Sequence, residues 1–272
     1  ANQWAENAAL RVLEKMGFIQ HVSLGENIEV PVDYRVNPDT AVLASDQDAA
    51  SLLKTEVLTS AVFDIAQTNV PVTWTKGDDA KNPSENQKIA LVKSLLENAI
   101  NSHDDLLEQR IFTSSTVGGV EVNGLNDLVP TSGQGTVGGI SAVAETWWRN
   151  PSDTYVDGTD IEAGMTEVWN AAAKGSGSTL QPKVLISGAT PHSLFESQLQ
   201  ALQRFGNGGD FNAGAKNLKF KDADYIFSQY GGDSIYFLNP KNYNLVVSKQ
   251  YFRDKGSTYD VPGQNAFYFL IY

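Results

Sequence analysis

Gly124–Asn150, GLNDLVPTSGQGTVGGISAVAETWWRN, is the stretch on which the reading of the fold turns. It joins a hydrophobic knot (Leu125, Leu128, Val129) to a Gly/Ser/Thr run that reads as flexible, and then to Trp147-Trp148-Arg149-Asn150. Two adjacent tryptophans beside an arginine make a large, partly polar contact surface, of the kind that seats one chain on another. No catalytic nucleophile, metal-ligand cluster or phosphate cradle is recognisable in it.

Upstream lies the strongest helical pattern of the chain, Glu85–Phe112. Ser84 and Gln87 fit a capping box, with Pro83 just before it. Ile89, Val92, Leu95, Leu96, Ala99, His103, Leu106, Leu107 and Ile111 then recur at spacings of three and four along one face. At ~1.5 Å per residue this helix runs about 40 Å, long for a globule but suited to a spine.

Further towards the N-terminus, Trp4, Ala8, Val12 and Met16 form a short helical stripe stopped by Gly17. Ile28, Val30, Val32 and Tyr34 alternate as a strand does. Arg35–Thr55, with its Asn37-Pro38-Asp39 turn, has no clean period. Alternation returns over Val57, Thr59, Ala61, Phe63 and Ile65, and again over Val70, Val72 and Trp74. We expect a long two-stranded arm around an exposed insertion. Downstream, helices are expected at Asp160–Ala173 and His192–Phe205, the second ended by the Gly206–Gly209 loop. Strands are expected at Lys183–Ser187, Tyr225–Phe227, Ile235–Leu238, Asn244–Ser248 and Ala266–Tyr272. No internal repeat or low-complexity tract occurs.

The 272 residues suffice for one large domain or two smaller ones. Only 19% are charged, against roughly 25% in ordinary soluble domains, as fits a surface covered by neighbours and equally a chain rich in Ser, Thr, Asn and Gln. The net charge of −12, with no basic run, argues against binding nucleic acid by phosphate neutralisation. An acidic wall suits a container that repels its nucleic-acid cargo, and acidity for solubility explains the charge as well. The absence of cysteine excludes disulfides, thiolate metal sites and cysteine nucleophiles. No apolar run approaches the ~18 residues of a membrane span, and the N-terminus has no signal-peptide character. The chain begins at Ala1 without an initiator methionine, which reads as processing or trimmed numbering. It stops at Tyr272 in mid-strand, so further sequence is expected beyond it.

Taken in order, the Gly-Leu-Asn start, the Trp-Trp-Arg-Asn end, the long helix, the arm, the Lys183–Ser187 strand before a helix with Gln203-Arg204, and Ile235-Tyr236-Phe237-Leu238-Asn239-Pro240 resemble the major capsid proteins of tailed bacteriophages. The resemblance implies an α+β fold of the Hong Kong 97 phage type. It would comprise an N-terminal arm (1–27), an E-loop (28–76), a peripheral domain with the spine helix (77–127), an axial domain (128–249) and closing strands (250–272). It implies a non-enzymatic, cofactor-free protein that joins copies of itself, as hexamers and pentamers, into an icosahedral shell around double-stranded DNA. That shell would be the virion capsid, assembled in the bacterial cytoplasm without a membrane, with scaffolding, portal and decoration proteins as possible further partners. An encapsulin-like compartment is the nearest alternative, and a monomeric secreted glycan-binding protein the alternative of a different class. The candidate subunit-contact residues are Trp4, Tyr34, Arg35, Lys54, Trp147, Trp148, Arg149 and Arg204. The arm and the insertion, with few core contacts of their own, are expected to be ordered only across neighbouring subunits. Some members of the family cross-link a lysine to an asparagine. Lys54 and Lys76 lie near the E-loop, but no matching asparagine or catalytic carboxylate is identifiable, so that property is not carried across.

The residues themselves offer little chemistry. His21, His103 and His192 are far apart, and no nucleophile elbow exists to seat a triad. His103 reads as a packed or hydrogen-bonded residue on the helix. Asp78-Asp79 and Asp104-Asp105 read as solvated turns and helix surface, because adjacent acids diverge on regular elements. The Gly206–Asp210 loop lacks the Gly-Lys-Ser/Thr ending of a P-loop. On residue types alone Trp147, Trp148 and Arg149 suit a sugar platform as well as subunit packing; the resemblance favours packing.

Overall fold

The structure is a computed structural model that describes residues 8–23, 25, 27–36, 56–82, 84–113, 116–117, 120–121, 123–155, 160–173, 179–203, 218–261 and 266–271. In chain order, helix α1 (Ala8–Lys15) leads into β1 (Ile19–Val22), β2 (Asn27–Asp33), β3 (Leu58–Asp64), β4 (Val70–Thr75) and α2 (Lys76–Lys81). The long helix α3 (Glu85–Phe112) is followed by β5 (Thr116–Val117), β6 (Val120–Glu121), α4 (Leu125–Leu128), β7 (Thr136–Val137) and β8 (Ile140–Ser141). Then come α5 (Ile161–Ala173), β9 (Val184–Ser187), α6 (Ala189–Gln203), β10 (Leu218–Phe220), β11 (Ala223–Phe227), β12 (Tyr236–Leu238), β13 (Leu245–Ser248), β14 (Tyr259–Asp260) and β15 (Ala266–Ile271).

The central sheet has the order β10-β11-β9-β12, with β9 and β11 parallel and both outer pairings antiparallel. Successive residues of a strand face opposite sides, and β9, buried throughout, separates two cores. Val184 and Ile186 join Tyr236 and Leu238 against α1, α3 and α4. Leu185 and Tyr225 face the other way, onto Ile161, Met165 and Trp169 of α5 and Phe195 of α6. A third core lies under β4 and β15, where Val72, Phe269 and Ile271 pack on Leu95, Leu96, Ala99 and Ile100 of α3. The C-terminal strand thus returns to pair with β4 over six residues.

α3 has the limits its sequence predicts, and the Ser84 hydroxyl accepts from the Gln87 amide at its start. It serves two cores with two different stretches. Neither core reaches its first turns, so Ile89, assigned to the apolar face, is exposed. α6 starts three residues earlier than predicted, and the predicted end of that helix with its glycine loop lies outside the described residues.

The N-terminal segment departs furthest from expectation. Ala9, Leu10, Leu13 and Phe18 are buried at the centre of the first core. Gly17 (φ +79) closes α1 with a two-bond Schellman cap, Phe18 N–H to the Leu13 carbonyl and Gly17 N–H to the Glu14 carbonyl. Residues 8–22 are therefore part of the body, and β1 pairs in parallel with β13. The few core contacts expected of residues 1–27 do not describe this part of them.

The loop 228–232 crosses the end of β9 at backbone distance. Ser228 N–H donates to the Ser187 carbonyl at 2.9 Å. A Cβ on Gly231 would lie 2.4 Å from the Ser187 carbonyl carbon. Gly231→Ala is expected to lower stability by about 2 kcal/mol, read as a shifted urea midpoint. An unchanged midpoint would contradict this packing.

Candidate contact surface around the ribbon

β2 and β3 form a two-stranded antiparallel ribbon with seven residue pairs, as the alternation predicts. One face carries Ile28, Val30 and Val32 beside Phe63, Ala61 and Thr59; the other carries Glu29, Pro31 and Asp33 beside Val62, Ser60 and Leu58. Much of the ribbon's apolar surface is open: Leu58 is 65% exposed and Val36, beyond β2, is 83% exposed, with Val30 and Val62 also exposed. Ala61 is the exception at 1%.

Ala61 is covered by the β7–β8 turn. Val137 pairs with Ile140, leaving Gly138 and Gly139 as a two-residue hairpin loop, both at positive φ (+59 and +79). Two positive-φ residues are what a type I′ turn demands. This part of the Gly/Ser/Thr run is thus a formed hairpin and not a flexible tether. The Gly138 carbonyl accepts from Val62 N–H at 3.0 Å, so the turn docks on the free edge of β3.

The Trp-Trp-Arg cluster buttresses this turn from within the chain. Trp148 Nε1 donates to the Val137 carbonyl at 3.1 Å. Arg149 Nε donates to the Ala142 carbonyl at 2.9 Å and its Nη2 to that of Val143 at 3.4 Å. Asn150 Nδ2 reaches the Pro130 carbonyl at 3.2 Å. Trp147 stacks on Tyr34, at the end of the ribbon, with centroids 5.0 Å apart and planes 29° from parallel. Its Nε1 donates to Glu145 Oε2 at 2.6 Å, and its ring meets Trp148 edge-on. Tyr34 Oη and Arg35 Nε both donate to the Glu56 carbonyl, fastening the strand leaving β2 to the one entering β3. With Tyr34 on one ring face, Trp147 is not an open sugar platform. A cavity of about 270 Å³ remains between Leu128, Pro130, Val137, Trp147 and Trp148.

Five of the eight sequence-predicted contact residues, Tyr34, Arg35, Trp147, Trp148 and Arg149, thus meet around one joint. Trp4, Lys54 and Arg204 lie outside the described residues. Ala61 and Gly138, which hold the joint together, were missed; the Gly-Gly between Thr136-Val137 and Ile140-Ser141 was the available signal.

A polar seam on α3 was also missed. Asp104 accepts from Arg253 Nη2 (2.7 Å) and Nε (3.1 Å), and Arg253 also reaches Glu14 at 3.6 Å. Asp105 accepts from Tyr230 Oη. These acids diverge as expected, but they are engaged and not solvated. Glu108, 2% exposed, accepts from Ser228 Oγ (2.5 Å) and Leu10 N–H (3.3 Å), joining α3, the crossing loop and the start of α1. Burial pushes its carboxyl above the ordinary value, against the Ser228 and Leu10 hydrogen bonds, and Asp105 adds to the rise. His103 is buried, with Nε2 3.0 Å from Thr68 Oγ1 and its ring near Phe252. Burial lowers its pKa. Among the described residues, no group of three or more His, Asp or Glu is placed to hold a metal ion, and no helix is long and apolar enough to cross a membrane.

The fold as a whole is similar to that of chains in solved phage capsids. The chain is similar to one from the capsid asymmetric unit of cyanophage A-1(L): TM-score 0.65, 14% identity, 100% of this chain and 89% of that one covered. It is also similar to a chain of the cyanophage P-SCSP1u capsid (TM-score 0.53, 13% identity, 99% and 83% covered). A third match is to a chain of Microbacterium phage Oxtober96 (TM-score 0.51, 14% identity, 99% and 84% covered). At these identities what is shared is the fold. No family model matches the sequence, and no curated protein matches it.

Proposed function

We propose that this chain is the major capsid protein of a tailed bacteriophage, copies of which join into the icosahedral shell of the virion around double-stranded DNA. The observation that carries this reading is the agreement of fold with the cyanophage A-1(L) capsid chain over the whole length. The exposed apolar residues of the ribbon support it, since an apolar surface held out from the body suits a neighbour that covers it. In these terms the ribbon and its insertion are the E-loop within 28–76, α3 is the spine of a peripheral domain (77–127), and the central sheet with α5 and α6 belongs to an axial domain (128–249). The strands of 250–272 close on β4. The arm of 1–27 is amended: its helix α1 belongs to the body. Many moderate contacts per subunit, closed by symmetry, supply the stability of such a shell. Tyr34, Arg35 and the Trp147–Arg149 turn contribute by holding the ribbon where a neighbour can meet it, with Trp4, Lys54 and Arg204 as further contact residues. Scaffolding, portal and decoration proteins are proposed partners on the same reading.

Deleting Asn37–Leu53 tests it. Wild-type protein expressed in bacteria is expected to sediment as large uniform particles, and the deletion variant as soluble, folded, unassembled subunits. Wild-type particle yield from the variant would refute the assignment of this region. Particles packed with an enzyme and lacking nucleic acid would move the function to a cellular compartment.

A further inference from the structure

A two-stranded ribbon has little rigidity of its own, so its direction must be set by what it touches. One attachment is the connector after β3, where Thr68 meets His103 on α3. A second is the stack of Tyr34, just past β2, on Trp147. A third is the β7–β8 turn partway along β3, and there the two segments meet at backbone distance. A Cβ on Gly138 would lie 2.6 Å from Ala61 Cβ, 3.0 Å from Phe63 Cζ and 3.2 Å from Ala61 Cα. The turn beneath is braced by Trp148 on the Val137 carbonyl and by the Ala142 N–H on the Gly135 carbonyl. It therefore acts as a stop and not as a cushion.

We propose that Gly138 is the positioning residue that sets the angle between the β2–β3 ribbon and the body, and with it the curvature at which copies of this chain join. The second half rests on the shell reading above; the first does not. Glycine is required twice at this position. Its φ of +59 is one that side chains rarely adopt, and the ribbon's only fully buried described residue occupies the space where a side chain would go. An alanine would force the contact open by about 0.8 Å to reach the 3.4 Å of ordinary packing. Val62 N–H would move away from the Gly138 carbonyl with it, and the ribbon would turn about its connector. In a shell built from repeated copies the same turn recurs at every subunit.

The neighbouring glycine provides a matched control. Gly139 has the same kind of backbone conformation (φ +79) but nothing within 4 Å of its Cβ position, so Gly139→Ala strains the same turn without touching the ribbon. Ala61→Gly loosens the contact from the other side and leaves the turn intact. The chain has no cysteine, so cysteines at Ser60 on the ribbon and Glu97 on α3 take two spin labels uniquely. Pulsed electron–electron distance measurement on the full chain, diluted into unlabelled protein, reads the ribbon angle. Electron microscopy of the same preparations reads particle diameter and shape.

One narrow distance distribution is expected for wild type and for Gly139→Ala. A displaced or broadened one is expected for Gly138→Ala and Ala61→Gly, with particles of altered diameter or irregular form. Equal distances in all four proteins, or equal shifts in Gly138→Ala and Gly139→Ala, overturn the positioning role. Shifted distances with wild-type particles overturn the link to curvature. Shifted distances with no particles from any of the four leave the ribbon angle assigned to Gly138 and refute the shell reading instead.

Discussion

The Leu13→Asp chain is expected not to fold. Leu13 is fully buried on α1, in one cluster with Phe18, Phe112 and Leu125, against the sheet residues Val184 and Ile186. An unpaired carboxylate there loses the burial of leucine and adds a desolvation cost of several kcal/mol. Together these approach the whole stability of an ordinary domain, ~5–15 kcal/mol. Leu13→Ala is the graded version, expected to cost about 3 kcal/mol by urea unfolding. Lys15→Gln, on the exposed side of the same helix, is expected to change stability by less than about 0.5 kcal/mol. The experiment separates two accounts of the N-terminal region. If residues 8–18 were an arm ordered only by neighbours, Leu13→Asp would leave a soluble, cooperatively folded subunit. Far-UV circular dichroism and a urea transition of the isolated protein decide between them.

Glu108→Ala is the second large effect, about 3 kcal/mol of lost stability at neutral pH. The substitution leaves the Leu10 N–H and the Ser228 hydroxyl without their acceptor in a buried place, each such loss costing roughly 1–3 kcal/mol. Glu108→Gln keeps an acceptor for Leu10 and a hydrogen-bonding partner for Ser228, and it removes the charge. It is expected to hold wild-type stability or exceed it. The two variants also differ in pH dependence. The folded-state pKa of Glu108 is raised above the ordinary 4.5, so folding binds its proton more tightly. The stability it contributes is therefore full below about pH 4.5 and is lost as the pH rises through the folded value. His103 has the opposite sign. Its pKa is lowered from 6.5, so its contribution is present above that pH and is lost as the pH falls through the folded value. His103 is common to wild type and Glu108→Gln and cancels in their difference. The advantage of Glu108→Gln over wild type should grow from pH 4.5 upward and then level off. A difference independent of pH would mean that Glu108 titrates alike in the folded and unfolded chain.

What the sequence shows and hides follows from where each element finds its partners. α3 was legible to the residue because its signals are local: a serine cap, a 3.6-residue period and a long uninterrupted run. β2 and β3 were legible through alternation, and β15 as a continuous apolar run. The place of α1 was not. A short apolar stripe says that a helix needs a partner but not whether that partner is its own chain or a neighbour. Glu108 was hidden for a related reason. On a helix it reads as surface, and only the meeting of α3 with Leu10 and Ser228, 98 and 120 residues away in sequence, makes it a buried acceptor. Asp104 and Asp105 were read as solvated on the same grounds and found Arg253 and Tyr230. The β7–β8 turn is a different matter, because its signal was present. Thr136-Val137-Gly138-Gly139-Ile140-Ser141 is a two-residue hairpin pattern, and the abundance of small residues around it suggested flexibility instead. The Trp-Trp-Arg cluster was read as a surface for a neighbouring subunit, and the contact the structure gives it is internal, with Tyr34 and with the turn.

The measurement that tests the central claim most directly is electron cryomicroscopy of the purified full chain, after sedimentation to isolate any assembly. The account predicts closed icosahedral shells whose repeating density accommodates the 28-residue helix α3 and a ribbon from each subunit reaching its neighbour. A single species near 29.5 kDa, monomeric at every concentration and with no shells on the grid, would contradict it.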